Sequence, residues 1–144
     1  QLLLTAQNKD IELKLTLGNG DLLFIGDPSQ FERALVNVIE NAIKFSPAHG
    51  RVDVEVYNDA DDVLFKVVDS GIGIPEEMQV HIFERFYRGE QPGAEHISGT
   101  GLGLSLVRTV IEKHQGRIWL KSQIGTGTTF YIAVPQAVSS IEVE

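Results

Sequence analysis

"GDPSQFERALVNVIENAIKF", residues 26–45, is the stretch on which the fold turns. Asp27 stands where a helix N-cap belongs, and Pro28 takes the first helical position. Gln30, three residues after the cap, completes a capping-box pattern. Phe31, Leu35, Val38, Ile39 and Ala42 recur at helical spacing, so one stripe of this helix is made for burial. Asn37 and Asn41 are i, i+4, and Lys44 lies three further on, a polar face turned away from that stripe. Asparagine is a mediocre helix former. Two of them mid-helix beside a lysine fit either a solvated face or an oxygen-donor surface. In the second case the amide oxygens suit a hard cation such as Mg²⁺, and the lysine suits a phosphate.

On either side of this helix the pattern changes to period two. "IELKLTL" (11–17) alternates apolar and polar residues, as a half-buried strand does. "GNGD" after it reads as a hairpin turn, with "LLFI" (22–25) as the partner strand. "RVDVEVYN" (51–58) and "DVLFKVVD" (62–69) read as two strands around a turn. "EEMQVHIFERFY" (76–87) reads as a short helix, and "RGEQPGAEHISGTG" (88–101) as a long functional loop. "LGLSLVRTVIEKH" (102–114) is a second strong helix, with Lys113 and His114 suited to its C-terminal dipole. "RIWLKS" and "TTFYIAV" close the pattern as strands, and the tail from Pro135 reads as frayed. Strands grouped with helices in this order predict an α+β architecture, with helices on one face of a mixed sheet. No repeat or linker divides the chain, so the expectation is one domain over 1–144 with an ordered core over 10–135.

Bulk properties narrow the function. The chain has 144 residues, no cysteine and a formal net charge of −8. A disulfide framework, cysteine-bound zinc and a thiol nucleophile are excluded. The negative balance predicts no nucleic-acid partner, and an anionic ligand would need local backbone N–H groups, a basic side chain or a cation. No apolar run approaches the ~20 residues of a membrane span. Direct membrane contact of this stretch is therefore not expected; the lack of cysteine suits a reducing cytoplasm, which is the expected location, with membrane anchoring of the full-length protein left open. The start at Gln1 suggests a piece of something longer.

Two glycine-rich stretches carry the remaining chemistry. "SGTGLGLSLV" (98–107) leads into a helix whose first N–H groups suit phosphates. It lacks the Lys-Ser/Thr ending of a P-loop and follows a polar loop rather than a strand. "DSGIGIP" (69–75) sets Asp69 at a strand end, with Gly71 and Gly73 letting backbone approach a flat ring. A carboxylate only accepts hydrogen bonds, so it suits an exocyclic amine such as that of adenine. Each stretch taken alone also fits an ordinary turn. In "FERFYRG" (83–89), Phe83 and Phe86 read as packing and Arg88 as a residue able to reach a phosphate.

Together these motifs resemble the catalytic and ATP-binding domain of sensor histidine kinases. "NVIENAIKF" resembles that family's N box, "DSGIGIP" its G1 box, "FERFYRG" its F box, "GTGLGL" its G2 box and "GTGTTF" its G3 box. One box is a weak match; five in the family's order, spanning Asp27 to Val134, are specific. The resemblance implies a Bergerat-type two-layer α/β sandwich, with a mixed, mostly antiparallel sheet of about five strands backed by three helices. It implies ATP and Mg²⁺ as cofactors, in a pocket closed by a lid from Arg88 to Gly99. Asn41 would hold Mg²⁺, with Asn37 and Lys44 along the phosphates and Phe45 beside the adenine. Asp69 would accept the adenine amine, flanked by Gly71, Gly73 and Ile74. Tyr87 and Arg88 would reach ribose or γ-phosphate. The amides of Gly99, Thr100, Gly101, Leu102, Gly103 and Leu104 would cradle the polyphosphate, and Thr128 would close the adenine side. Arg88 and Lys44 are the catalytic candidates in this reading.

The family's phospho-accepting histidine lies in a separate helical domain, followed by an acidic residue and an Arg-Thr-Pro-like run. His49, His81, His96 and His114 have no such context. The expectation is a monomeric module that positions ATP for a histidine on a dimerisation/acceptor domain outside this sequence and meets a response regulator only indirectly. An ATP-driven clamp of the gyrase or heat-shock-chaperone type is the rival. It would place a glutamate four residues before the Mg²⁺ asparagine, where this chain has Asn37. A non-catalytic nucleotide-binding relay is a third reading, and an anti-sigma serine kinase a fourth, disfavoured by the F box.

Overall fold

The computed structural model describes residues 10–19, 22–84 and 103–137. In chain order the elements are β1 (Glu12–Leu17), α1 (Pro28–Phe45), β2 (Arg51–Asp59), β3 (Asp62–Asp69), α2 (Glu76–Gln79), α3 (Gly103–Lys113), β4 (Arg117–Gln123) and β5 (Gly127–Pro135). The strands form one sheet in the order β1-β2-β3-β5-β4. β1 runs parallel to β2, and the other three pairings are antiparallel. The expected α+β layering with a five-stranded mixed sheet and three helices is what the chain adopts.

Local chemistry explains α1. Asp27 Oδ1 accepts the Gln30 N–H at 3.0 Å, and Pro28 opens the first turn. At the other end Ser46 is buried, its hydroxyl donating to the Ala42 carbonyl at 2.9 Å and its N–H to the same carbonyl. Pro47 follows and stops the helix. Phe31, Ala34, Val38, Ala42 and Ile43 are buried against Val52, Val54 and Val56 of β2 and Val63, Phe65 and Val67 of β3. Val107 and Ile111 of α3 and Phe130, Ile132 and Val134 of β5 complete the same core. Each fully buried aliphatic side chain contributes about 1.5–3 kcal/mol. The alternate residues face outward: Glu55, Lys66, Tyr131 and Trp119 stand in one cross-strand row. There Trp119 stacks on Tyr131 at 5.2 Å, with the Arg117 guanidinium 4.7 Å from the indole.

Two expectations are corrected. Residues 22–25 are not the hairpin partner of β1. β1 instead adds in parallel to β2, setting Leu13, Leu15 and Leu17 opposite Val52, Val54 and Val56. The alternation of "LLFI" has another cause. Leu22 and Phe24 turn inward, and Phe24 packs 4.6 Å from Phe31 and 5.9 Å from Phe65, ring centroid to centroid. The helix expected over 76–87 stops at Gln79. Beyond it the chain makes three-residue turns, His81 N–H to Met78 O and Glu84 N–H to His81 O, which bring Ile82 and Phe83 onto the core. No helix among the described residues is long and apolar enough to cross a membrane.

Candidate functional site

β3 ends at Asp69, and β5 begins its pairing with β3 there, Thr128 opposite Asp69. Asp69 is only 6% exposed. Its Oδ1 accepts the Gly71 N–H at 2.8 Å and the Thr128 N–H at 3.2 Å. Burial pushes its pKa up to about 6, against the pull of those two N–H groups. With Oδ1 taken, Oδ2 is left as an acceptor for whatever enters beside it.

What lies beside it is a pocket. Asn41 and Phe45 of α1, Asp69, Gly73 and Ile74 line it, together with Leu104 of α3 and Thr128 of β5. Seven sequence-predicted site residues thus meet in one place, although they come from stretches as far apart as 41 and 128. Ile82 and Phe130 also line it. They were not singled out from sequence, because apolar residues in these positions read as core. Phe130 is indeed core, and Phe83 packs edge-on against it at 6.2 Å. Gly71 does not line the pocket but holds Asp69; a Cβ there would run into the Phe45 carbonyl, and one at Gly73 into the Gln123 carbonyl. Asn37 lies one turn before Asn41 on α1, and Lys44 three residues after it, exposed; neither lines the pocket. Gly103 opens α3. Arg85, Phe86, Tyr87, Arg88, Gly99, Thr100, Gly101 and Leu102, with the lid, lie outside the described residues.

The pocket is mostly apolar, with the paired Asp69 and Thr128 forming a polar end and Asn41 a separate polar group on α1, the usual form of a small-molecule site. Asn41 lines it and carries an amide oxygen. A lone protein oxygen fits Mg²⁺, which keeps most of its waters and takes other oxygens from phosphates. Among the described residues no cluster of His, Asp and Glu could hold a metal by itself. His49 pairs with Asp10 at 2.7 Å and His81 with Glu84 at 2.9 Å, both at the surface.

Residues 26–138 match the histidine kinase-, DNA gyrase B- and HSP90-like ATPase family. The chain belongs to this family. It is 37% identical over 124 residues to the circadian input-output histidine kinase CikA of Synechococcus elongatus, a match covering 86% of the chain and 16% of CikA. Among solved structures it is similar to a mycobacterial sensor histidine kinase, MprB, with a TM-score of 0.82, 33% identity and coverage of 95% of this chain and 92% of that one. It is also similar to histidine kinase ThkA, solved in complex with the response regulator TrrA: TM-score 0.76, 26% identity, 94% of this chain and 37% of that one. The chain therefore has the fold and family of a histidine-kinase catalytic ATPase domain, and spans under a fifth of CikA's length.

Proposed function

We propose that residues 1–144 form a single Mg-ATP-binding catalytic domain of a sensor histidine kinase. It delivers the ATP γ-phosphate to a histidine on a separate dimerisation/acceptor domain, on the cytoplasmic side. The observation that carries this reading is the pocket in which a buried, backbone-held carboxylate shares walls with the α1 asparagine. Asp69 Oδ2 accepts the adenine amine, Thr128 closes that end, and Phe45 and Ile74 pack on the base. Gly71 and Gly73 let the backbone come close. Asn41 holds Mg²⁺, which supplies countercharge to the phosphates. Asn37 and Lys44 line the phosphate path, and the amides of Gly99 through Leu104 cradle the chain of phosphates. Tyr87 and Arg88 reach ribose or γ-phosphate, and Arg88 with Lys44 offsets charge as the transfer proceeds. An imidazole nitrogen of the acceptor domain attacks in line; its bond to the γ-phosphorus forms as the bond to the β,γ-bridging oxygen breaks, and ADP leaves. The response regulator meets the phosphorylated acceptor rather than this domain.

The test mixes the chain and Mg-ATP with the isolated acceptor domain of a cognate kinase. The expected product is acid-labile, base-stable phosphate on that domain, lost with Asp69→Asn. Acid-stable phosphate, or ATP consumed with no protein phosphorylated, would overturn the reading.

A further inference from the structure

The polar end of the pocket depends on a residue outside the five boxes. Ser122 of β4 stands opposite Thr128 of β5, which stands opposite Asp69 of β3, so the three form one cross-strand row. Ser122 Oγ accepts the Ile74 N–H at 2.7 Å. It lies 3.1 Å from the Gly127 carbonyl oxygen and 2.7 Å from Thr128 Oγ1. Ile74 is held on its carbonyl side too, that oxygen accepting from Gln79 Nε2 at 2.8 Å.

A serine hydroxyl has one proton and two lone pairs, so only one arrangement satisfies all three contacts at once. The Gly127 carbonyl can only accept, so the Ser122 proton goes there. The Ile74 N–H can only donate, so it takes one lone pair. The second lone pair is left for Thr128, whose hydroxyl must then donate to Ser122. Thr128 Oγ1 is left with lone pairs alone, and next to it lies the Asp69 carboxylate.

We propose that Ser122 is a positioning and specificity-determining residue: by taking the Thr128 proton it keeps the polar end of the pocket acceptor-only, and so selects a base that presents an amine over one that presents a carbonyl. This rests on the adenine-nucleotide reading of the pocket. A 6-oxo base sets its carbonyl against acceptors, and buried polar groups go unpaired. Remove Ser122 Oγ, and the Thr128 hydroxyl turns about its C–O bond and donates to that carbonyl.

The test compares the dissociation constants of ATP and of its 6-oxo analogue ITP by calorimetry at pH 7.5, for the parent, Ser122→Ala and Ser122→Thr. The parent prefers ATP. In Ser122→Ala the ITP-to-ATP ratio narrows roughly tenfold, the factor that one buried hydrogen bond supplies. Ser122→Thr, which keeps the hydroxyl, restores the ratio. A ratio unchanged in Ser122→Ala, even with both nucleotides equally weakened, means that Ser122 only supports the loop, and the proposal fails. Should Ser122→Ala not fold, Ser122→Cys keeps the volume with a much weaker acceptor. It must narrow the ratio in the same direction, and an unchanged ratio there sinks the proposal equally. A parent that binds neither nucleotide overturns the nucleotide reading itself, and this inference with it; a parent that binds ATP separates the two.

Discussion

Asp69 serves binding at the expense of stability. Its folded pKa of about 6 lies above the unfolded value near 3.9. The native state therefore binds its proton more tightly than the unfolded chain does. What this group gives to stability is complete below about pH 4 and is lost as pH rises through 6. Above that, burying the charge costs at most about 3 kcal/mol. Asp69→Asn keeps an oxygen for the Gly71 and Thr128 N–H groups and removes the charge. Its melting temperature should exceed the parent's at pH 7.5, with the two converging toward pH 4, as thermal melts across that range would show. ATP binding should run the other way. The carboxylate must be ionised to accept an amine, so the parent's affinity falls below about pH 6, and Asp69→Asn binds weakly throughout. The backbone beneath this residue is equally constrained. Gly127 has φ +131°, and a Cβ on it would meet the Asp69 carbonyl. Gly127→Ala should cost about 1–3 kcal/mol from strain alone and weaken nucleotide binding at the same time, read by denaturant unfolding beside calorimetry.

An imidazole just past the end of α3 ties that helix to the N-cap of α1. His114 accepts the Asp27 N–H on Nε2 at 2.9 Å and donates from Nδ1 to the Val110 carbonyl at 2.8 Å. A backbone N–H can only donate, so the proton sits on Nδ1. The ring also packs edge-on against Phe31 at 5.4 Å, and a Cβ at Gly26 would collide with it. From sequence, His114 belonged to its own helix end; the structure extends its reach to the N-cap of α1. His114→Ala should therefore cost about 1–3 kcal/mol, a fall in melting temperature of about 2–4 °C per kcal/mol, while the pocket, at the far end of α1, still binds ATP. The contrast shows which elements were readable. The α1 cap and the alternation of β1 to β5 are local signals, and these elements appeared where they put them; the buried stripe is shifted, with Ala34 and Ile43 buried and Leu35 and Ile39 only partly so. The parallel partner of β1, the grip of His114 on Asp27 across 87 residues and that of Ser122 on Ile74 across 48 are not local. Nothing in "LLFI" distinguishes a strand from a segment that drops Phe24 into an aromatic cluster, and a lone serine in "RIWLKS" carries no pattern at all.

At the scale of the molecule, the same fold serves proteins that hydrolyse ATP and proteins that hand its phosphate on, and α1 separates them. A hydrolytic enzyme needs a general base within hydrogen-bond reach of its water. One turn before Asn41, where the clamp reading requires a carboxylate, this chain has Asn37, whose amide gains no proton near neutral pH. Among the described residues that line the pocket the one carboxylate is Asp69. It sits at the strand end, with Oδ1 tied to two backbone N–H groups, and in our reading it serves the adenine rather than a water at the γ-phosphate. Bound ATP should therefore persist until an outside nucleophile arrives. We expect very slow steady-state hydrolysis by the chain alone at saturating Mg-ATP, and a large acceleration of ATP consumption only when the acceptor domain is added. Asn37→Ala should lower nucleotide affinity or phosphotransfer several-fold through lost polar contacts, without removing a hydrolytic step. Asn37→Glu restores the carboxylate of the clamp enzymes at that position and should raise hydrolysis above the parent's. Parallel assays of released phosphate for these three proteins decide the matter: fast turnover in the parent that vanishes in Asn37→Ala would move this chain from the kinases to the clamps.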